Sequence, residues 1–122
     1  MTAQLVTAHW LEREAAAAVT VLRLTTARLP DDETVRAVFD PLSRLVGEGW
    51  RNHVVLNLAV AEYLPSMALA KLVALSRKLR AGNGRLALCH LCPTVEARLA
   101  STHLRGMFDI YATEEEAVQS FR

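Results

Sequence analysis

Val54-Val55-Leu56-Asn57-Leu58-Ala59-Val60 decides how the rest of the chain is read. Every residue but Asn57 is apolar, so the in-and-out alternation of a strand with one wet face is missing. A short, nearly unbroken apolar run of this kind suits a strand covered on both faces, at the centre of a parallel sheet. Parallel neighbours need long crossover connections, usually helical, so the pattern on either side should alternate.

Downstream it does. Ser66 to about Ala81 reads as a helix with Leu69, Leu72, Val73 and Leu79 inward and Lys71, Lys78 and Arg80 more exposed; Gly82-Asn83-Gly84 is its stop. Arg85 to Leu91 repeats the strand signal, Pro93 to about Ser101 is a helix opened by proline, and Phe108 to Tyr111 is a last short strand. Thr113-Glu114-Glu115-Glu116 supplies a capping box for a terminal helix reaching Phe121, with acids where the helix dipole favours them.

Upstream, Val35, Val38, Phe39, Leu42, Leu45 and Val46 recur at helical spacing behind Asp31 or Asp32 as cap, and Gly47 and Gly49 end the segment. Pro41 interrupts it: either the helix kinks, or Asp40 caps a second short helix with Pro41 at its first position. Thr20 to Thr25 reads as a half-buried strand, with His9 to Arg13 as its antiparallel partner. Between them, Glu14-Ala15-Ala16-Ala17-Ala18 offers no tight-turn residue. The expected order is ββαβαβαβα: an α/β fold with a mixed sheet, an antiparallel N-terminal hairpin followed by parallel strands, and about four packed helices.

Length and composition fit one domain over residues 1–122. With 52% hydrophobic and 22% charged residues, the chain has ample apolar material to bury, which excludes disorder as its main state. Fourteen Lys and Arg against thirteen Asp and Glu leave a net charge of +1, which gives no field favouring nucleic acid or an anionic membrane. Apolar runs stop far short of a membrane span, and Met1 to Trp10 has no signal-peptide pattern. Two cysteines are too few for a disulfide scaffold, so a soluble protein of the reducing cytoplasm is expected.

The second half resembles a STAS domain, the fold shared by sulfate transporter tails and bacterial anti-sigma factor antagonists. The residues that carry the resemblance are Val55-Leu56-Asn57-Leu58, then Tyr63-Leu64-Pro65-Ser66-Met67-Ala68-Leu69-Ala70 at a strand-to-helix turn, then Gly82-Asn83-Gly84-Arg85-Leu86. Pro93, Val95, Thr102, Leu104 and Phe108-Asp109-Ile110-Tyr111 follow in order. It spans about residues 54 to 121; the first 50 match only in the order of strands and helices. The resemblance implies a partner switch, not an enzyme. In that family an unmodified antagonist binds an anti-sigma factor with serine kinase activity and so frees the sigma factor. Phosphorylation reverses the binding, and a serine phosphatase resets it.

The phosphorylated serine of the family opens the helix after the central strand, usually within Asp-Ser-Ser/Thr-Gly-Leu-Gly, and the matching residue is Ser66. Pro65 stands in place of the usual Asp, Met67 in place of the second hydroxyl residue, and Ala68 and Ala70 in place of the glycines. The resemblance thus implies Ser66 as phosphoacceptor and helix cap, with Leu64, Pro65, Met67, Leu69 and Lys71 around it on the partner surface. A phosphate there adds about −1.5 to −2 charges at the positive end of a helix, which an apolar partner face would have to desolvate. A simpler role for Ser66 is that of a helix cap alone. The departures motivate an alternative, a STAS scaffold without phosphoregulation.

Cys89-His90-Leu91-Cys92 has the spacing of a dithiol or of half a zinc site, which makes a redox protein a second alternative. Cys89 falls within a strand, only Cys92 reaches a helix start, and no second ligand pair exists, so a buried apolar Cys89 is the simplest reading. Glu114 to Glu116 are explained by the helix dipole, and the basic cluster Lys71, Arg77, Lys78, Arg80, Arg85 by a solvated face. Trp10 and Trp50 read as core or rim. No catalytic constellation, phosphate loop, metal site or cofactor is expected.

Overall fold

The computed structural model describes residues 4–8, 11–16, 19–47 and 53–121. These form β1 (Gln4–Ala8), β2 (Leu11–Ala16), β3 (Val19–Leu24), α1 (Asp32–Gly47), β4 (His53–Asn57), α2 (Ser66–Ala81), β5 (Arg85–Cys89), α3 (Pro93–Ser101), β6 (Asp109–Tyr111) and α4 (Glu114–Gln119). A single 3-10 turn, Arg105–Met107, precedes β6. The expected order lacks one strand, because β1 precedes the pair formed by β2 and β3. The expected strand 108–111 begins one residue later, since Phe108 is buried instead of paired. Trp10 and Trp50 lie outside the described residues.

The strands stand in chain order, β1-β2-β3-β4-β5-β6, in one sheet. β1, β2 and β3 are antiparallel neighbours, and β3 to β6 are parallel. Because each crossover steps to the next strand in the same direction, connections of one hand put α1, α2 and α3 on one face. The core reflects this. Leu22, Val54, Leu56, Leu86 and Leu88 point into a large cluster with Val35, Phe39, Leu72 and Leu99 of the three helices. The alternate residues Val19, Val21, Val55, Ala87 and Cys89 point to the other face, where Ala117, Val118 and Phe121 cover them. Val54, Val55 and Leu56 at the centre of β4 are therefore buried, alternating between the two faces, as their apolar run requires. The strand ends at Asn57, so Leu58, Ala59 and Val60 of the expected strand belong to the following turn, with Val60 exposed.

α1 runs unbroken from Asp32 to Gly47 with Pro41 inside it, so no second helix capped by Asp40 forms. Pro41 and Ala37, whose carbonyl loses its usual partner, are both exposed, where water can accept the loss. Asp31, not Asp32, caps it: the Thr34 backbone N–H and hydroxyl both donate to Asp31 Oδ1 at 2.8 Å, which holds the carboxyl below its usual range. α1 and α2 are joined across their flank by Lys71 Nζ to Asp40 Oδ1 at 2.7 Å and by Lys78 Nζ donating to the Ser43 carbonyl at 2.7 Å.

Candidate functional site

The turn from β4 into α2 gathers the residues singled out in the sequence. Leu58, Ala61 and Leu64 are buried beneath it, while Val60 and Tyr63 are exposed. The Glu62 backbone N–H donates to the Ala27 carbonyl at 2.9 Å, so the turn is tied to the loop that follows β3. α2 then starts at Ser66, with Pro65 as its extended N-cap residue.

This corrects the role expected of Ser66 as helix cap. It is the first helical residue, one place too late to cap, and α2 has no side-chain cap. The Ser66 hydroxyl is exposed and accepts a hydrogen bond from Arg98 Nη2 at 2.8 Å. Arg98 comes from α3, donates from Nε to the Leu64 carbonyl at 2.8 Å, and sits 5.0 Å over the Tyr63 ring. One guanidinium thus holds three residues of the turn. Sequence reasoning missed Arg98; it is one arginine among many, 32 residues from Ser66, with no local signal.

The structure sorts the expected contact residues by depth. Pro65 and Met67 are half-buried beside the exposed Ser66. Leu64 and Leu69 are core residues, 0% and 4% exposed, and shape the surface only from beneath. Lys71 is directed to Asp40 on the α1 side of α2 and does not share the Ser66 face. On the other side of α2, a groove of about 450 Å³ lies between α2 and α3, lined by Leu69, Val73, Leu104, Arg77, Arg98 and Thr102, with Ser66 on its border.

The CxxC residues differ in burial and in place, one in β5 and the other at the start of α3. Cys89 is fully buried under α4, its thiol pushed up to about 12 by burial first and by the charge of Glu114 second, while Arg23 opposes. Cys92 is the N-cap residue of α3, partly exposed, and both thiols are free. A thiol so far above neutrality supplies almost no thiolate, which argues against dithiol chemistry. Among the described residues no group of His, Cys, Asp and Glu could hold a metal ion, and no helix is long and apolar enough to cross a membrane.

A sheet with the central strand leading into an exposed serine at a helix start is the arrangement that the family resemblance implies. The model of the STAS domain family matches residues 12–117. The chain belongs to the STAS domain family. No curated protein matches its sequence. Solved STAS structures share its fold at low identity. An anti-sigma factor antagonist (STAS) domain protein from Planctomyces limnophilus is 21% identical, with a TM-score of 0.77 over 90% of this chain and 96% of that one. The anti-sigma factor antagonist SpoIIAA in its unphosphorylated form is 24% identical, with a TM-score of 0.74 over 99% and 96%. The Bacillus cell fate determinant SpoIIAA in its phosphorylated form is 21% identical, with a TM-score of 0.68 over 99% and 100%. These likenesses establish the STAS fold from β2 into α4.

Proposed function

We propose that this STAS chain is an anti-sigma factor antagonist, a partner switch that binds an anti-sigma factor with serine kinase activity and is controlled by phosphorylation of Ser66. The observation that carries the reading is an exposed Ser66 hydroxyl at the first position of the 16-residue helix α2. A kinase can reach it, and the helix end can accept the added charge without unfolding. Pro65 and Met67, with the exposed Tyr63, form the contact surface, and a phosphate among them obliges a partner to desolvate a dianion. SpoIIAA, whose fold this chain shares, has been solved both with and without phosphate. The chain itself performs no chemistry in this scheme: the partner is the kinase, a serine phosphatase resets the switch, and the cytoplasm is where both act.

A second reading is a STAS scaffold without phosphoregulation. It is favoured by Pro65, Met67, Ala68 and Ala70 in place of the family's usual residues. Mass spectrometry of the protein recovered from its native cells tests the choice. Phosphate on the Ser66 peptide in some growth condition supports the switch; consistent absence with that peptide well detected favours the scaffold. In binding assays with the anti-sigma partner, Ser66→Asp weakens affinity while leaving the thermal midpoint nearly unchanged. Equal affinity of the two proteins removes the switch.

A further inference from the structure

We infer that Arg98 is a built-in receptor for the phosphate on Ser66, pinning it over the groove between α2 and α3. The inference rests on the reading of Ser66 as a phosphoacceptor and adds where the phosphate goes and what holds it. Three observations carry it.

The first is preorganisation. Arg98 Nε is fixed to the Leu64 carbonyl at 2.8 Å, and the guanidinium lies 5.0 Å over the Tyr63 ring. Its Nη2 is already 2.8 Å from Ser66 Oγ, the atom to which phosphorus bonds. The phosphoryl oxygens stand two bonds beyond that atom, through phosphorus, within reach of the donors on Nη1 and Nη2 that the Leu64 contact leaves over. Much of the entropy of ordering a long side chain has been lost before the phosphate arrives.

The second is charge. Arg23, Arg85 and Arg105 each meet a carboxylate at 2.6 to 2.8 Å. Arg98 meets no carboxylate among the described residues; the guanidinium is held by a carbonyl, a hydroxyl and an aromatic face. An arginine fork held beside a hydroxyl and lacking an anion matches the bidentate, charge-assisted geometry that phosphate takes.

The third is the surrounding field. Arg77 lines the same groove and has no ion pair among the described residues. α2 has neither an acidic residue in its first turn nor a side-chain cap, so nothing negative competes at its N-terminal end. The Arg98 fork on α3 therefore faces no competing anion for the phosphate, which lies at the edge of the groove shared with Arg77.

The test uses protein with phosphoserine installed at position 66 during synthesis by stop-codon suppression, which needs no cognate kinase. The second ionisation of the phosphate is followed by phosphorus NMR across pH, in native and in urea-denatured protein. An exposed phosphoserine titrates near pH 6, and the native protein is expected to titrate about half a pH unit or more below the denatured one. Arg98→Gln abolishes most of that difference, and Arg98→Lys, a point charge without the fork, restores part of it. Coincident midpoints for native and denatured wild type overturn the inference, as do equal native midpoints for wild type and a folded Arg98→Gln. Should Arg98→Gln fail to fold through loss of the Leu64 contact, the native-against-denatured comparison and Arg98→Lys decide. The outcomes separate the two readings. Absence of phosphate in cells removes the switch but leaves these midpoints standing, whereas coincident midpoints remove the receptor and leave the switch intact.

Discussion

Arg23 and Glu114, 91 residues apart, meet as a two-armed ion pair, with Nε donating to Oε1 at 2.9 Å and Nη2 to Oε2 at 2.8 Å. The pair joins β3 to the first residue of α4. Asn57 at the end of β4 adds a bond from Nδ2 to Oε1 at 2.9 Å, and His90 Nε2 accepts from the Glu114 backbone N–H at 3.1 Å. Two remote strands thus converge on the Glu114 carboxylate and the loop after β5 on its backbone, which fastens the short helix over the second face of the sheet. His53 stacked on Phe121 at 4.5 Å reinforces the same docking.

The Glu114 carboxyl is held below its ordinary value of 4.5, chiefly by the Arg23 hydrogen bond, with partial burial opposing and Asn57 assisting. A depressed folded value means that the pair's contribution is present above about pH 4.5 and is lost as pH falls through the lower folded value. Glu114→Gln is expected to lose on the order of 1 kcal/mol at pH 7, the half-exposed pair being partly screened. Urea unfolding at pH 7 and pH 3 checks this: the gap between wild type and variant should narrow at the lower pH.

The two thiols should differ sharply in reactivity. At pH 8 an alkylating reagent is expected to modify Cys92 in the native protein and to reach Cys89 only in denaturant, because the latter is buried and its thiol is pushed up to about 12. Peptide mapping after brief alkylation reads the outcome. Rapid native modification of Cys89, or a ready Cys89 to Cys92 disulfide, would revive the dithiol alternative.

Thr20 is fully buried on the face of β3 that also carries Leu22 and Leu24, and its Oγ1 has no hydrogen-bond partner among the described residues. Thr20→Val keeps the shape, removes the orphaned hydroxyl and favours the strand, so a gain of about 1 kcal/mol is expected. Chemical denaturation of the two proteins measures it, and a loss would mean that the hydroxyl is satisfied.

α2 and α3 end in the same way, on a non-glycine residue in the left-handed region: Asn83 at φ 66° and His103 at φ 60°. Behind them the N–H groups of Gly84 and Leu104 close on the carbonyls of Leu79 and Leu99 at 2.7 and 2.9 Å, the Schellman pattern. His103→Gly should relieve a conformation that costs an L-residue about 1 kcal/mol, whereas Asn83→Gly should gain less because Asn tolerates it. Thermal melts of both variants rank the two gains.

What the sequence determined by itself was the alternation. The apolar run from Val54 marked a strand covered on both faces, though only its first four residues lie in β4; the spacings in 32–47 and 66–81 marked amphipathic helices, and Thr113 announced α4, where its hydroxyl accepts from the Glu116 backbone N–H at 3.1 Å. The resemblance to STAS domains, carried by that order and its motifs, singled out Ser66. These features are local: periodicity reports which face is buried, and capping chemistry acts within one turn. Tertiary structure alone decided the rest. It placed Leu64 and Leu69 below the surface, turned Lys71 toward Asp40, moved Ser66 from cap to first helical residue, and brought Arg98 to its hydroxyl. Which arginine meets which oxygen depends on how α3 packs beside α2, and no spacing along the chain encodes a contact between residues that only packing makes neighbours.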